Sequence, residues 1–407
     1  MTSDHGGSIR LSGTNLERAA DHNQRITLHA IRVAGSLTRV DLANITGLTA
    51  PAIANITKRL RAEGLIAEAG RRRGLRGQPP TKLVINPDAC YAIGINLDRD
   101  HITIVLVNFI GETVARRALE AEFALPGRVR EFYEISVRDM IREANVDPAR
   151  IVGIGVARPD DLAKVDLPGR PIAYKQWEKV DLAALFAEPL GLPVFVENDS
   201  AAAAMGEQQL GLGQQLSSFF YVLISWGLGG GLVIDGAYFR GAAGRSGEIG
   251  FLYAQGDNGK HCQIQNFVSL SGLSSKLEAI GASVPEMLRG QGRDAGIEPI
   301  VDAWIDGAVE RLAGPMAAIN CLINPAAVLI GGRLPGHYVD RLAERMNALL
   351  AANAGNVPAL APVRRAMLSE DAPAVGAAIL PFSHFLLPRP NALWKDRAAE
   401  AGVSVPA

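Results

Sequence analysis

The sequence predicts an α/β chain in two parts: a small basic head built as a winged helix-turn-helix, and a larger body of two similar lobes of strands and helices. Three observations lead there. The first is a charge split. Residues 1–82 hold 13 Lys and Arg against 6 Asp and Glu, whereas the rest of the chain holds 28 against 36. A formal charge of −1 over 407 residues therefore conceals a basic head on an acidic body. The second is a helix, a short turn containing glycine and a second helix within residues 38–62. The third is that strands followed by alternation with helices occur twice after residue 88.

The composition excludes several classes. At 48% hydrophobic and 20% charged residues, the chain is globular rather than disordered or fibrous. Its three cysteines, Cys90, Cys262 and Cys321, are widely spaced and form no Cys-x-x-Cys pair, so neither a disulfide framework nor a zinc ribbon is implied. The first residues, MTSDHGGSIR, lack the apolar core of a signal peptide, and no stretch approaches the roughly 18 apolar residues of a membrane helix. The expected setting is cytoplasmic, with no membrane partner.

In the head, residues 23–34 read as a helix with Ile26, Ala30 and Val33 on one face, ended by Gly35. Thr38 with Asp41 three residues later reads as an N-cap, and Leu42 and Ile45 as the buried side of a short helix. After the turn at Thr46-Gly47-Leu48, Thr49 caps a second helix with Pro51 in its first turn, and Ile53, Ile56 and Leu60 face inward. In such motifs the second helix enters the major groove. Ala50, Ala52 and Asn55 are its outward positions: Asn55 suits an adenine edge and the alanines suit thymine methyls. Lys58 and Arg59 suit phosphate. Thr38 and Thr49 border the candidate DNA surface, although capping alone accounts for both. Taken singly, Asn55 reads equally as a solvated amide.

Residues 65–69 and 81–85 then read as the two strands of a wing. The tip between them carries Arg71, Arg72, Arg73 and Arg76 among glycines, a loop suited to a nucleic-acid backbone or a narrow minor groove. A charged interdomain linker is the compatible alternative.

In the body, residues 91–97 and 102–109 read as a hairpin, 128–144 as a helix, 151–156 as a strand, 180–188 as a short helix and 193–196 as a strand. Glu197-Asn198-Asp199 falls at that strand's end and is followed by an alanine-rich helix. Strand 219–225, a glycine-rich loop through Gly231 and strand 232–234 form a second hairpin-like unit, and strand 327–330 ends at Gly331-Gly332. Carboxylates at strand ends are where α/β sheets bind ligands. Asp199 suits a general base or a partner for a hydroxyl, and reads equally as part of a helix cap. The glycine loop suits a phosphate or a plain tight turn.

The phrases TRVDLANITGLTAPAIANITKRLRAEGLI, GLPVFVENDSAAAAMGE, WGLGGGLVIDGAYFRGAAGRSGEIG and NPAAVLIGG, in this order, resemble the ROK family (repressor, open reading frame, kinase). The likeness spans about residues 21 to 385 and is greatest to the branch with an N-terminal winged helix-turn-helix, of the xylose-repressor and N-acetylglucosamine-repressor type. It implies an actin-like, ribonuclease-H-like, two-lobed sugar kinase fold behind the head. The domains expected are a flexible N-terminus over 1–20, a winged helix-turn-helix over 21–86, a first lobe over 87–200, a second lobe with helical oligomerisation elements over 201–385, and a tail over 386–407. Asn198, Asp199 and Glu248 match family residues that bind sugar hydroxyls; Phe251 and Ser271 stand where the family has a His and a Glu.

The departures from the family pattern point away from catalysis. Where family kinases carry an Asp-x-Gly-Gly-Thr phosphate loop, this chain has Asn96-Leu97-Asp98-Arg99-Asp100, whose carboxylates and bulk oppose a triphosphate. Of the family's zinc cysteines only Cys262 remains, within HCQIQNFVS, so no structural zinc and no other cofactor is expected. Arg245 and Lys260 suit an acidic or phosphorylated sugar. The resemblance thus implies a regulator, a repressor of carbohydrate genes, that binds operator DNA and a sugar or sugar-derivative effector as a homodimer or homotetramer. No catalytic residue is expected, with Asp199 occupying the position of the kinase base. The rivals are a sugar kinase with an attached DNA-binding domain, and a body that serves only for oligomerisation.

Overall fold

A computed structural model describes residues 16–71, 81–160, 162–163, 170–256, 259, 261–290, 296–353, 355 and 360–388. The chain forms two compact units, residues 1–89 with 383–407, and residues 90–382.

The first unit holds α1 (Leu16–Ala34), α2 (Arg39–Thr46), α3 (Ala50–Ala62) and the antiparallel pair β1 (Ile66–Arg71) and β2 (Thr81–Ile85). Local chemistry sets the boundaries. Thr38 Oγ1 accepts from the Asp41 N–H at 3.2 Å while the Thr38 N–H donates to the Asp41 carboxylate at 2.9 Å, a reciprocal capping box. Gly47, at φ +68°, closes α2, and Thr49 caps α3 with Pro51 in the first turn. Leu28, Ile31, Leu42, Ile53, Leu60, Leu83 and Ile85 form the core. Arg25 Nη1 donates to the carbonyls of His384 (3.0 Å) and Leu387 (3.2 Å), which ties the returning C-terminal segment to α1.

Two expected faces are corrected here. The inward stripe of α1 is Thr27, Leu28 and Ile31, and Val33 is 48% exposed. Thr27 can be buried because its hydroxyl donates to the Asn23 carbonyl at 2.8 Å. Helix α2 spans only eight residues and offers one core seat, which Leu42 fills, leaving Ile45 60% exposed.

The second unit opens with β3 (Tyr91–Leu97), β4 (His101–Asn108), β5 (Thr113–Glu120), α4 (Pro126–Glu143), β6 (Ile151–Arg158), α5 (Leu182–Ala187) and β7 (Val194–Asn198). They make a five-stranded sheet ordered β5-β4-β3-β6-β7, antiparallel in its first three strands and parallel from β3 to β7. Next come α6 (Asp199–Leu210), β8 (Phe219–Ile224), β9 (Leu228–Ile234), β10 (Ala237–Tyr238) and a small hairpin of β11 (Tyr253–Gln255) and β12 (His261–Gln263). The chain ends with α7 (Leu270–Glu278), α8 (Val284–Leu288), α9 (Ile297–Leu322), β13 (Ala327–Gly332), α10 (Gly336–Ala352), β14 (Val363–Arg365) and α11 (Ala372–Phe385). The second sheet, β10-β9-β8-β13-β14, repeats the order and the parallel pattern of the first. Each lobe has its own apolar core. Among the described residues no helix is long and apolar enough to cross a membrane.

The glycine-rich run also differs from expectation. Leu228–Gly231 is strand, not loop, and its glycines serve packing. A Cβ on Gly229 would lie 1.9 Å from Ser200 Oγ, and one on Gly231 would lie 2.6 Å from the Ala204 Cβ, so the bare backbone lets β9 lie on the first turns of α6.

Small residues likewise seat α11 against the first sheet and α6. A Cβ on Gly155 would fall 1.8 Å from the Ala377 carbonyl oxygen, and one on Gly376 would fall 1.8 Å from that of Ala202. Because both obstacles are backbone, Gly155→Ala is expected to cost about 2–3 kcal/mol by overpacking, read as a lowered urea midpoint with secondary structure retained.

Candidate functional site

The site is built where the parallel strands β6 and β7 of the first lobe end. Arg158 closes β6 directly opposite Asn198, which closes β7. Asn198 is the N-cap of α6: its Oδ1 accepts from the N–H groups of Ser200 (2.9 Å) and Ala201 (3.1 Å), leaving its amide N–H groups for another partner. Asp199 begins the helix and is 7% exposed, with Oδ1 accepting from the Ser200 N–H at 2.7 Å and hydroxyl at 3.2 Å. Burial, with Asp98 nearby, pushes its carboxyl up to about 7 despite those bonds and Arg99. A carboxyl poised near neutrality both accepts from and donates to hydroxyl groups.

Of the other residues expected at the effector site, Glu248 lies on a loop that rests on β9. A Cβ on Gly230 would lie 2.4 Å from the Gly247 oxygen, so the loop bearing Glu248 rests on the strand that also touches α6. Glu248 is held by Arg245 at 3.1 Å, and Arg245 also reaches Asp160, just past β6, at 3.5 Å. Arg240 similarly bridges to Glu197. Phe251 is 39% exposed beneath the Arg245 guanidinium, 6.0 Å from its ring centroid. Ser271 is tied to the Ser225-Trp226 turn: its N–H donates to the Trp226 carbonyl at 3.3 Å, and its hydroxyl shares a hydrogen with Ser269 at 3.0 Å. Lys260 lies outside the described residues.

Residues 96–101 form the turn that carries Asp98 and Arg99, whose charges act on Asp199. The turn from β3 to β4 is closed by the Asp98 N–H on the His101 carbonyl (3.0 Å), and the carbonyls of Arg99 and Asp100 accept from Phe123 and Ala121. Asp98, Arg99, Asp100 and His101 are all at most 6% exposed. Asp100 accepts from His101 Nδ1 at 2.8 Å and from Arg333 Nη1 at 2.6 Å, and Arg333 also reaches Glu120. Burial alone would raise the Asp100 carboxyl, but His101 and Arg333 outweigh it and hold it at about 2. Arg99 extends towards the glycine turn, with Nη1 3.6 Å from where a Gly227 Cβ would stand. Asp98, Asp100 and His101 form the one cluster of three metal-type ligands among the described residues. Arg333 holds Asp100, the Asn96 amide nitrogen lies 3.0 Å from His101 Nε2, and Asp98 Oδ1 accepts from the Arg99 N–H at 2.7 Å.

Sequence reasoning missed Arg333, Arg158 and the Arg240–Glu197 bridge. Arg333 follows β13 and Arg158 ends β6, at the sheet edge where α/β folds bind ligands, a signal that position alone could have supplied.

In the head, Thr49, Ala50, Asn55, Lys58 and Arg59 are exposed and Ala52 is half-buried. Arg59 pairs with Glu63 at 2.8 Å, whereas Lys58 has no acidic partner among the described residues. Thr38 is 5% exposed with both its hydroxyl and its N–H engaged by Asp41, so it is a structural cap and not a surface contact. Arg71 ends β1; Arg72, Arg73 and Arg76 lie outside the described residues. Around Cys262, the β11–β12 hairpin, the fully buried Ile264 and the Ser269 cap of α7 order the segment through packing and hydrogen bonds.

Two sheets of one repeated order on either side of Asp199 define a two-lobed, actin-like protein. In fold the chain matches a ROK family transcriptional regulator described as a homologue of the E. coli MLC protein, with a TM-score of 0.65 at 20% identity, over 90% of this chain and 97% of that one. It also matches a ROK family glucokinase from Streptomyces griseus, with a TM-score of 0.56 at 21% identity, over 71% of this chain and 98% of that one. The ROK family model matches residues 92–383, and the chain belongs to the ROK family. It is 25% identical to the xylose repressor of Bacillus subtilis over 89% of this chain and 96% of that protein. It is 26% identical to the DNA-binding transcriptional dual regulator NagC of Escherichia coli over 81% of this chain and 84% of that protein. It is 29% identical to an uncharacterised protein, y4fQ, of Sinorhizobium fredii over 88% and 90%.

Proposed function

We propose that this protein is a DNA-binding transcriptional regulator, a repressor of carbohydrate genes, whose body binds a sugar or sugar derivative and does not phosphorylate it. The observation that carries this reading is the pairing, in one chain, of a helix-turn-helix head with a carboxylate site beside which Asp98, Arg99 and Asp100 are buried, where family kinases have a glycine loop for phosphate. Relatives matched over 89% and 81% of this chain, the xylose repressor and NagC, support it. These residues oppose phosphate by occupation more than by repulsion, since Arg333 already neutralises Asp100. The protein acts as a homodimer or homotetramer on operator DNA in the cytoplasm, and the effector shifts its DNA affinity by binding one state of the body more tightly than another.

The test is operator binding by the intact protein. Genomic fragments selected on it are titrated at fixed salt with a panel of neutral and acidic sugars. A sugar that changes affinity supports the reading, and ATP-dependent phosphorylation of any of them overturns it. Asn55→Ala is expected to relax discrimination at one base position by about 1–3 kcal/mol while leaving the salt dependence intact. Lys58→Ala is expected to weaken binding to all sequences alike and to lower the salt slope by about one. Fluorescence anisotropy over a salt series checks both.

A further inference from the structure

A cavity of about 400 Å³ opens beside Asn198 in the first lobe, bounded by Arg158, Leu162, Trp177, Asp181 and Val196. It lies within the range of small-molecule sites, about 300–1,000 Å³. Strand geometry connects it to the effector site. Arg158 and Asn198 are register partners on neighbouring strands, about 4.8 Å apart, and Val196, two residues before Asn198, projects from the same face of the sheet. A ligand held by Asn198 that extends along this face of the sheet meets the cavity at Arg158, the residue paired with Asn198 in register.

Arg158 differs from Arg240, Arg245 and Arg333, which each hold at least one carboxylate. Arg158 is half-buried and donates only to the carbonyl of its neighbour Pro159, at 2.9 Å, with no carboxylate partner among the described residues. The two acids on the cavity wall do not answer it. Asp181 spends its Oδ1 capping α5 through the N–H groups of Ala183 and Ala184, and Glu178 is exposed to solvent. A partly desolvated guanidinium with unused donors is costly unless an anion completes it, and its planar fork matches carboxylate or phosphate oxygens. Leu162, Val196 and Trp177 supply the apolar wall on which a sugar's C–H face rests. Asp199, pushed up to about 7, is partly protonated near neutral pH and offers an anion less repulsion than an ordinary carboxylate.

We infer that Arg158 makes the effector site selective for a sugar bearing an acidic group, a carboxylate or a phosphate, over its neutral parent. This rests on the reading of the Asn198–Asp199 site as a sugar site. The side chains already on Glu248 and Glu197 then need not move to admit the charge, because the acidic group enters from the cavity side.

The experiment is calorimetric titration of the full-length protein, at one pH and ionic strength, with glucose, glucuronate and glucose 6-phosphate, then the galactose and xylose counterparts. At least one acidic member is expected to bind ten-fold or more tightly than its neutral parent. Arg158→Met is expected to erase that difference, and Arg158→Lys to keep part of it. The carboxylate and phosphate arms show which acid is read. Neutral sugars binding as tightly as their acids, or an acid preference that survives Arg158→Met, overturns the selectivity and leaves the sugar site standing. Failure of every compound to bind the unaltered protein overturns the sugar site itself. The comparison on unaltered protein decides the matter even if a variant fails to fold.

Discussion

Arg333→Ala is expected to destabilise the body by about 3–5 kcal/mol, the range for removing one partner of a buried ion pair. Arg333 is 9% exposed and Asp100 6%, so the substitution removes the guanidinium 2.6 Å from a buried carboxylate and leaves it only His101. The bond from Arg333 to Glu120 adds little, because the Glu120 side chain is half-exposed. The double variant Arg333→Met with Asp100→Asn is expected to recover much of the loss, since neither charge then remains buried. The pH dependence follows from the depressed carboxyl. Asp100 ionises at about 2 in the folded state against 3.8 for the ordinary group, so its contribution is complete above about pH 4 and disappears as pH falls towards 2. Stability should therefore fall more steeply from pH 4 to 2 in the unaltered protein than in Arg333→Ala. Urea unfolding along that series checks it, and a loss under 1 kcal/mol at pH 7 would remove Arg333 as the bond between the lobes.

That bond explains what the sequence did and did not disclose. Capping is decided within four residues, and so Thr38 with Asp41 and Thr49 with Pro51 were legible, as was the repeated order of strands and helices. Asn198 and Asp199 were legible because their place at a strand end is local. Arg333 and Asp100 are 233 residues apart, and no local pattern joins them. Without that partner, Asp98 and Asp100 looked like unopposed negative charge, whereas the fold makes Asp100 half of a satisfied pair. The glycine run misled for a related reason. Glycine permits both a loop and a strand pressed on a helix, and only the presence of α6 beside β9 chooses between them. In α1, two apolar stripes competed, and tertiary packing took the one containing Leu28 and Ile31.

Asp199→Asn is expected to stabilise the ligand-free protein above neutral pH while it damages effector binding. The folded state raises this carboxyl from 3.8 to about 7, chiefly by burial and secondly through Asp98. A raised carboxyl is proton-bound when folded and ionised when unfolded between those values, so folding loses stability as pH rises from about 4 through 7. By linkage the loss approaches about 4 kcal/mol at pH 8 as an upper limit. Asparagine cannot ionise, and its Oδ1 can still accept from the Ser200 N–H that Asp199 now engages at 2.7 Å. The variant should thus gain little at pH 4 and most at pH 8, with a flatter melting temperature between. The same change removes an acceptor that a sugar hydroxyl requires and is expected to weaken effector affinity by about ten- to a hundred-fold, the cost of roughly one charged hydrogen bond. Opposite signs in the two measurements are what a binding site held in a strained, ligand-ready state produces. A variant that melts with the same pH slope as the unaltered protein would place the proton elsewhere in the cleft, and one that keeps full effector affinity would take Asp199 out of the site.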